Sequence, residues 1–416
     1  MRVSTAFNKM LGLPGATVAG VEFTPAGVVV TLRRRAKGLR CPACGRTTGA
    51  AYDRSVRRWR HLDLGASRLY LESEIRRLRC PRCERVVTEE VPWARPGARH
   101  TKDFEDVVAW LAQRADKTTI SRLLRCSWEA VARIVVRVVA TSIDDARLDD
   151  LYRIGVDEVS YRKGHRYLTV VADHDREGSV VWAAEGRDAA TLRGFFDELG
   201  PERMARLQAV SADMGAGYAK AIAQQVEAGT LAARVCIDPF HVVKLANEAI
   251  DACRRWAWNQ ARRSGQATAA WVKRTRWALV KDPGALSTSQ RLVLEELRRS
   301  RSVLYRAWQL KEALRDVYRL RDLGAAHQFL DRWLAWACRS RIPSFVKLSR
   351  TIRDHRDGIL AAVELGLSNS KLEGLNSKIR LINHRGYGHH SAAAVIAMIY
   401  LCCGGITVRL PTEKEI

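Results

Sequence analysis

The chain has 416 residues, with 70 lysines and arginines against 45 aspartates and glutamates, which gives a formal net charge of +25. Hydrophobic residues make up 47% and charged residues 28% of the chain, a balance that excludes a mainly disordered protein. A positive excess of this size does not help folding and indicates a polyanionic partner, most simply nucleic acid. The 10 cysteines are too few for a disulfide scaffold in a chain of this length.

One uncharged stretch, residues 391–408, raises the question of a membrane span. Gly404 and Gly405 should end a helix near Cys403, which leaves about 20 Å of helix against a hydrocarbon core of roughly 30 Å. Met1 to Pro14 also lacks the apolar core of a signal peptide. We therefore predict a buried core helix, no membrane partner, and a cytoplasmic protein associated with the nucleoid.

Two Cys-Pro-x-Cys knuckles lie in the N-terminal part of the chain, among short apolar runs that are typical of β-strands. Cys41 and Cys44 form the first knuckle, and Cys80 and Cys83 form the second. Two such knuckles can present four thiolates to one tetrahedral Zn²⁺ and leave no open position for catalysis. The sequence therefore predicts a zinc-ribbon-like DNA-binding domain over residues 1–95 with a structural Zn²⁺. A redox pair or unrelated buried cysteines are the alternatives.

Arginines flank both knuckles and are candidates for contacts with DNA phosphates. The arginines chosen are Arg57, Arg58, Arg76 and Arg77. A cluster of cations beside a zinc module favours contact with the DNA backbone, although such a run can also be an ordinary solvated face.

Residues 100–145 have the apolar spacing of short helices and predict a helix-turn-helix. A break falls at Arg125 and Cys126, and Ser127 is a plausible N-cap for the helix that follows. The predicted apolar stripe of the first helix consists of Ile120, Leu123 and Leu124. The residues predicted to face a DNA major groove from the second helix are Trp128, Glu129, Arg133 and Arg137. An ordinary helical hairpin is the alternative.

Residues 150–243 alternate between strand-like and helix-like segments in the order β-β-β-α-β-α-β, which predicts a mixed sheet with helices packed on it. Residues 244–365 are almost entirely helical, with arginine-rich polar faces. Residues 366–410 contain a last pair of helices around a turn rich in glycine and histidine.

Three acids stand out as candidates for metal binding. Asp157 ends the apolar run of the first predicted strand, Asp213 follows the fourth, and Glu373 lies on the first helix of the last pair. Asn376 and Arg380 share the helix face of Glu373 and could contact DNA phosphates. Mg²⁺ prefers carboxylate oxygens, and two such ions can activate a water or a 3′-hydroxyl and stabilise the leaving oxygen. Each acid could instead be a helix cap or a surface group.

These residues resemble those of the DDE transposases of bacterial insertion sequences, specifically the ISL3 family. The matching stretches are residues 154–158 (IGVDE), 163–167 (KGHRY), Asp213-Met214 with Tyr218, 238–244 (DPFHVVK), 333–343 (WLAWACRSRIP) and 373–388.

The resemblance implies an RNase H-like catalytic domain at 150–243 and 366–410, interrupted by an all-helical insertion at 244–365. It implies that Asp157, Asp213 and Glu373 form a metal-binding triad for two Mg²⁺ or Mn²⁺ ions. It also implies that Asp238 and His241 form a catalytic D-x-x-H pair, with a simple helix cap as the alternative for Asp238.

Two choices among the acids remain at this stage. Neighbouring strand residues point to opposite faces, so only one of Asp157 and Glu158 can enter the site, and the family pattern favours Asp157. Asp173 and Asp175, after the second strand, are competitors for the same role.

We therefore expect an insertion-sequence transposase that binds terminal inverted repeats through the zinc ribbon and the helix-turn-helix. It would hydrolyse a phosphodiester at the transposon end and join the freed 3′-hydroxyl to target DNA, acting as a homodimer on double-stranded DNA. The alternative is a catalytically silent DNA-binding repressor derived from a transposase. Loss of an acid would favour the repressor, and all three acids are present.

Overall fold

The fold comes from a computed structural model that describes residues 2–35, 38–49, 51–162, 164–367, 370–386 and 391–413, with the backbone alone for residues 216, 264 and 370–373. The chain divides into two compact units, Met1–Asp144 with Leu381–Ile416, and Asp145–Arg380. The predicted segment 366–410 is thus shared between the two units.

The elements of the N-terminal part are, in chain order, α1 (Val3–Leu11), β1 (Ala16–Thr24), β2 (Gly27–Arg34), β3 (Leu39–Arg40), β4 (Thr47–Thr48), β5 (Asp53–Leu64), β6 (Ser67–Cys80), β7 (Arg85–Thr88), α2 (Lys102–Ala112), α3 (Lys117–Leu124) and α4 (Trp128–Ser142).

The elements of the second unit are β8 (Arg153–Arg162), β9 (Arg166–Asp173), β10 (Ser179–Glu185), α5 (Ala189–Leu199), α6 (Pro201–Met204), β11 (Ala209–Ala212), α7 (Ala216–Glu227), β12 (Arg234–Ile237), α8 (Pro239–Ser264), α9 (Gln266–Arg274), α10 (Arg276–Val280), α11 (Thr288–Arg299), α12 (Val303–Asp316), α13 (Leu323–Arg339), α14 (Pro343–Asp354) and α15 (Arg356–Leu365). Helix α16 (Ser370–Arg385) begins in the second unit and ends in the first, where α17 (Ala392–Cys403) follows.

The first unit is built on a sheet in the order β1-β2-β6-β5, with β7 paired to β6. Buried residues alternate along much of β6, whereas three successive valines are buried in β2, and Val30 and Leu71 belong to the core of this unit. The ring of Trp59, from β5, meets the ring of Trp93 edge-on at a centroid distance of 5.8 Å and closes this core.

Local capping fixes the helix-turn-helix much as the sequence predicts. The Ser127 side chain accepts a hydrogen bond from the amide of Ala130 and starts α4, and Arg125 takes a left-handed φ of 50° in the turn before it. Ile120 is buried as predicted, but Leu123 is 63% exposed, so the prediction that Leu123 lies in the apolar stripe is wrong. Helix α3 ends at Leu124, and its short inner face is filled by Ile120.

Helix α17 ends at Cys403, as predicted from the glycine pair, and packs against α4 of the helix-turn-helix. The Arg385 guanidinium donates to the carbonyls of Ala112 and Gln113 and so satisfies the C-terminal end of α2. Each helix in the described part of the chain is too short or too polar to cross a membrane.

The second unit contains a five-stranded sheet in the order β10-β9-β8-β11-β12. Strands β8, β11 and β12 run parallel, whereas β9 and β10 are antiparallel neighbours. Val156, Val210 and Phe195 belong to the core between one sheet face and helices α5 and α7. Ala209, Cys236 and residues of α15 form the core on the other face. The predicted order of strands and helices is confirmed.

Residues 239–365 are helical and have a core of their own around Trp333 and Phe345. Its most unusual member is Lys311, which is fully buried and whose Nζ donates to the carbonyl of Leu279 at 2.6 Å. Lys311 also pairs with Glu312 at 2.6 Å, so that its buried charge is compensated.

A half-buried histidine makes the stability of the first unit pH-dependent. The His100 ring stacks on Phe104 at a centroid distance of 4.7 Å. Burial, together with the positive charges of Arg137 and Arg60, lowers the pKa of His100 from 6.5 to about 4. Because the pKa of His100 is lower in the folded state, the unfolded chain binds the proton more tightly. The contribution of neutral His100 to stability is therefore fully present above pH 6.5 and is lost as the pH falls toward 4.

We predict that His100→Phe, which keeps the stacked ring and removes the titration, is less destabilised by acid than the wild type. The difference between the two free energies of unfolding should change by about 1–3 kcal/mol between pH 7 and pH 4. Denaturant unfolding at several pH values measures this difference. His384→Asn, at an exposed position, is the control and should keep the wild-type slope. The prediction would be contradicted if the free energy of unfolding changed equally with pH in His100→Phe and in the wild type.

Candidate active site and metal centre

Four cysteine sulfurs meet at the end of β6. All four Sγ atoms of Cys41, Cys44, Cys80 and Cys83 lie within 4.8 Å of one another. The Sγ atoms of Cys44 and Cys80 are 3.4 Å apart, and those of Cys41 and Cys83 are 3.9 Å apart. Each knuckle closes on a hydrogen bond to the carbonyl of its first cysteine, from the amides of Gly45 and Glu84 respectively.

The thiol chemistry of this cluster fits a structural zinc ion. Burial raises the pKa of Cys80, but hydrogen bonds from the backbone amides of Cys83 and Arg82 outweigh it and lower the pKa to about 6. The neighbouring thiols, Cys44 first, raise the pKa of Cys83 to about 12. Four thiols this close cannot all ionise unless a cation offsets their mutual repulsion, and a tetrahedral set of four thiolates is the ligand set of structural Zn²⁺.

A row of carboxylates forms at one edge of the sheet in the second unit. Parallel pairing sets Ser211 of β11 opposite both Gly155 of β8 and Cys236 of β12. Two residues further along each strand come Asp213, Asp157 and Asp238. Parallel strands lie about 4.8 Å apart. Asp157 lies within β8, whereas Asp213 and Asp238 come just after the ends of β11 and β12, so the register brings the three acids to the same level at this edge of the sheet.

The position of Asp157 differs from the sequence prediction. It was expected at the end of its strand, but β8 continues to Arg162, and Asp157 lies opposite Val170 of β9. The site edge arises because β11 ends at Ala212 while the β8–β9 hairpin extends beyond it. The expectation that Asp157 ends a strand is therefore wrong, because the hairpin partner supplies hydrogen bonds that an isolated apolar run does not reveal.

Asp157 is half-buried and held by two hydrogen bonds. Its Oδ1 accepts from the amide of Glu158 at 2.7 Å, and its Oδ2 accepts from Nδ2 of Asn376 at 2.6 Å. Burial raises the pKa of Asp157, against the opposing effects of the Asn376 hydrogen bond and of His241, while the charge of Asp213 raises it further. Two neighbouring carboxylates that repel each other in a half-buried site favour a bound cation.

Asp213 is fixed by the turn that follows β11. Its Oδ1 accepts from the amide of Gly215 at 2.9 Å. A Cβ atom at position 215 would lie 2.7 Å from this oxygen, so only glycine lets the backbone approach the carboxylate so closely.

Asp238 and His241 lie at the start of α8. Asp238 is buried, and its carboxylate accepts from the amide of Phe240 at 3.1 Å as the N-cap of the helix. Nε2 of His241 is 3.7 Å from Oδ2 of the same aspartate. The cap and the D-x-x-H pair are therefore compatible, because the two carboxylate oxygens serve different partners.

The third predicted acid, Glu373, precedes Asn376 by one turn of α16, but its side chain lies outside the described residues. Arg380, further along α16, is exposed. The contact between Asn376 and Asp157 is the feature that the sequence did not predict, since Asn376 was expected to contact DNA. Its only signal was a shared helix face with Glu373.

The other acids considered from the sequence lie elsewhere. Glu158 is 3.7 Å from Arg187. Asp173 lies opposite Ile154 at the beginning of β8, and Asp175 pairs with Arg153 at the same end. Neither of these last two reaches the level of Asp157.

The arginines beside the zinc knuckles have partners within the first unit. The guanidinium of Arg57 donates to the carbonyl of Ala98 at 2.9 Å, and Arg58 pairs with Glu72 at 2.8 Å. Arg77 pairs with Asp53 on the neighbouring strand. Arg76 is 17% exposed at its side chain and pairs at 3.2 Å with Glu89, which is fully buried.

The predicted recognition face of α4 is only partly exposed. Arg133 is exposed, but Trp128 and Arg137 are half-buried, so the prediction that both face solvent is wrong. Arg137 points to α2, where its guanidinium pairs with the buried carboxylate of Glu105. Nζ of Lys117 lies 4.4 Å from the centre of the Trp128 ring, a cation–π contact that orients the ring.

Three family models match this chain. A family model described as a transposase matches residues 154–399, and the helix-turn-helix model of the ISL3 transposase family matches residues 89–139. A zinc-finger model of transposases IS204, IS1001, IS1096 and IS1165 matches residues 37–83. The chain belongs to the ISL3 family of DDE transposases.

Two relatives illustrate the similarity of this transposase to curated proteins. A transposase for insertion sequence element IS1557 from Mycobacterium tuberculosis is 41% identical over 444 aligned residues, covering 99% of this chain and 98% of the relative. A transposase for insertion sequence element IS1001 from Bordetella parapertussis is 28% identical over 361 residues, covering 86% and 87% respectively. The ISL3 transposase is therefore an insertion-sequence enzyme that acts on DNA, with a DNA-binding helix-turn-helix and a structural zinc site.

We predict that Cys80→Ser abolishes stoichiometric zinc binding and destabilises the first unit, because binding of a structural Zn²⁺ is worth about 10–16 kcal/mol in small zinc domains. Metal analysis and thermal unfolding of the purified chain measure both effects. Cys338→Ser, at an exposed position outside the cluster, is the matched control and should keep zinc and stability. A Cys80→Ser protein with one tightly bound Zn²⁺ would rule out the four-cysteine site.

Proposed function

We propose that this transposase cleaves DNA at the ends of its own insertion sequence and joins the freed 3′-hydroxyl to target DNA. Asp157, Asp213 and Glu373 would hold two divalent ions, Mg²⁺ or Mn²⁺. The observation that carries this proposal is the strand register that sets Asp213 level with Asp157, with Asn376 of α16 hydrogen-bonded to the same Asp157 carboxylate.

The sheet order supports an RNase H-like fold for the catalytic domain. Three parallel strands stand beside an antiparallel hairpin, and Asp213 and Asp238 follow the carboxyl ends of β11 and β12. We assign the catalytic domain to residues 150–243 and 366–410 and regard 244–365 as a helical insertion between Asp213 and Glu373. Residues 1–95 and 100–145 would be the zinc-ribbon and helix-turn-helix domains.

The donor chemistry of the carboxylate row suits hard divalent cations, which prefer oxygen ligands. When bound, two such ions would activate the attacking water or 3′-hydroxyl and stabilise the leaving oxygen. Burial and the charge of Asp213 both raise the pKa of Asp157, and a cation in the site would offset both effects. Asn376 is then a positioning residue, because its amide fixes the direction of the Asp157 carboxylate.

His241 has a separate task in this scheme. Its ring lies next to the acids and is held by Asp238, whose charge is 3.7 Å away. We assign His241 to donate a hydrogen bond to an oxygen of the scissile phosphate, with Asp238 orienting the imidazole. Both residues would thus support catalysis without binding the ions.

DNA recognition would begin with the first unit and the terminal inverted repeats of the element. Arg133 is the candidate for base contact from α4, because it is exposed. The exposed cations Arg58, Arg77 and Arg380 would contact phosphates, whereas Arg57, Arg76, Trp128 and Arg137 would support these contacts from within the fold.

Since two transposon ends must be brought together, we propose a homodimer on double-stranded DNA, working at the nucleoid. All three acids are present in the sequence, so nothing favours a silent repressor.

We predict that Asp213→Ala leaves binding to a terminal-repeat duplex unchanged and lowers Mg²⁺-dependent nicking by more than about 100-fold, because a direct metal ligand is lost. Footprinting measures binding, and gel analysis of the same fragment measures nicking. Asp197→Ala removes an exposed acid on α5 and should nick at the wild-type rate. Wild-type nicking by the Asp213→Ala variant would refute the assignment of the site.

We also predict that Asn376→Ala raises the Mg²⁺ concentration needed for half-maximal nicking by about 10- to 100-fold, as expected when a residue that orients a metal ligand is removed. A Mg²⁺ titration of nicking, with binding to the same duplex as reference, measures the effect. Asn259→Ala, on an exposed face of α8, is the matched control. An unchanged Mg²⁺ dependence in Asn376→Ala would show that Asn376 does not position Asp157.

A further inference from the structure

A groove follows one face of α8 and leads away from the carboxylate row. Phe240, Lys244, Asn247 and Asp251 recur at the spacing of one helix face, and Arg276 and Val280 of α10 form the opposite wall. We call this feature the α8 groove. Its volume is about 320 Å³, within the range of roughly 300–1,000 Å³ that is usual for ligand-binding clefts.

The α8 groove begins at the proposed catalytic residues. Phe240 precedes His241, and their rings meet edge to face at a centroid distance of 5.6 Å and an angle of 86°. The amide of Phe240 also donates to Asp238. A molecule in the groove therefore lies beside the residues proposed to contact the scissile phosphate.

Two groups in the groove have unused binding capacity. The ring of Phe240 is 48% exposed and is therefore accessible to a molecule in the groove. Oδ1 of Asn247 is buried and has no hydrogen-bond partner among the described residues. A buried acceptor without a partner is costly, and a donor from a bound molecule would satisfy it.

The charges of the groove favour an anionic ligand. Lys244 and Arg276 are exposed and have no acidic partner within the described part of the chain. Asp251 is already neutralised, since Arg254 lies at 2.7 Å and Arg255 at 3.3 Å from its carboxylate. Glu248 is the remaining acid of the lining, so free positive charge exceeds free negative charge.

We propose that the α8 groove binds one unpaired nucleotide of the DNA strand next to the scissile phosphate. Phe240 stacks on the base, Asn247 accepts a hydrogen bond from a base amino group, and Lys244 and Arg276 pair with phosphates. Stacking on an aromatic ring tolerates any base, and an amide oxygen distinguishes bases that carry an amino group from thymine. The inference rests on the proposed function, because it places the nucleotide by reference to the cleavage site.

The test is a thermodynamic cycle on DNA in the Asp213→Ala background, where cleavage is blocked. The probes are terminal-repeat duplexes with one mismatched nucleotide next to the cleavage point, or an abasic residue in its place. The Asp213→Ala protein, called the parent, should bind the mismatched duplex about 5- to 150-fold more tightly than the abasic one. This ratio is the affinity gained when one base stacks on an aromatic ring. Phe240→Ala should lose this preference and keep its affinity for fully paired DNA, whereas Phe240→Trp should retain it.

Two further variants sharpen the result. Asn247→Ala should lose the preference for adenine, cytosine or guanine over thymine at the mismatched position while keeping the preference over the abasic site. Trp336→Ala, an exposed aromatic outside the groove, should behave as the parent. Thermal unfolding checks that Phe240→Ala is folded.

The proposal would be overturned if the abasic residue lowered DNA affinity equally in the parent and in Phe240→Ala. It would also be overturned if the abasic residue did not lower the affinity of the parent. If the parent shows no loss of affinity for the abasic duplex, the groove binds a different ligand, such as a protein segment. Because binding is measured without cleavage, these outcomes are separate from the test of the proposed function, in which nicking by Asp213→Ala is decisive.

Discussion

Parallel pairing of β8, β11 and β12 is the constraint on which the site depends. The register places residues 157, 213 and 238 at the same level, although the first and the last are 81 positions apart in the chain. Neighbouring strands lie about 4.8 Å apart, and burial, together with the charge of Asp213, raises the pKa of Asp157 there. The fold thus holds an arrangement that is unfavourable without a cation, and backbone hydrogen bonds between the strands keep it in place.

Two helices complete this edge from different parts of the chain. Helix α8 starts on the Asp238 cap and brings His241 and Phe240 to the acids, while α16 contributes the amide of Asn376. Free backbone amides at the starts of α7 and α8 give Asp213 and Asp238 defined directions, whereas Asp157, inside its strand, is oriented by Asn376. The 26-residue α8 then leads directly from the acids into the separate core of residues 239–365.

The net charge of +25 correctly indicated DNA as the partner, but it did not show which cations are available to it. Arg76 and Arg137 are bound to Glu89 and Glu105, two carboxylates that are fully buried at their side chains. Removing either partner would leave a buried charge uncompensated, which is strongly destabilising. These arginines belong to the interior of the first unit, and its free positive surface is smaller than the composition suggests.

The sequence by itself determined the local features of this transposase. Cysteine spacing, the Ser127 cap and the glycine stop after Cys403 each depend on neighbours within a few residues, and the structure contains all of them. Only the tertiary structure decided that Asp157 lies within a strand, that Asn376 binds its carboxylate, and that Arg137 turns inward to Glu105. Those features depend on strand register and on contacts between residues 32 to 219 positions apart, which local periodicity cannot specify because many partners satisfy the same pattern.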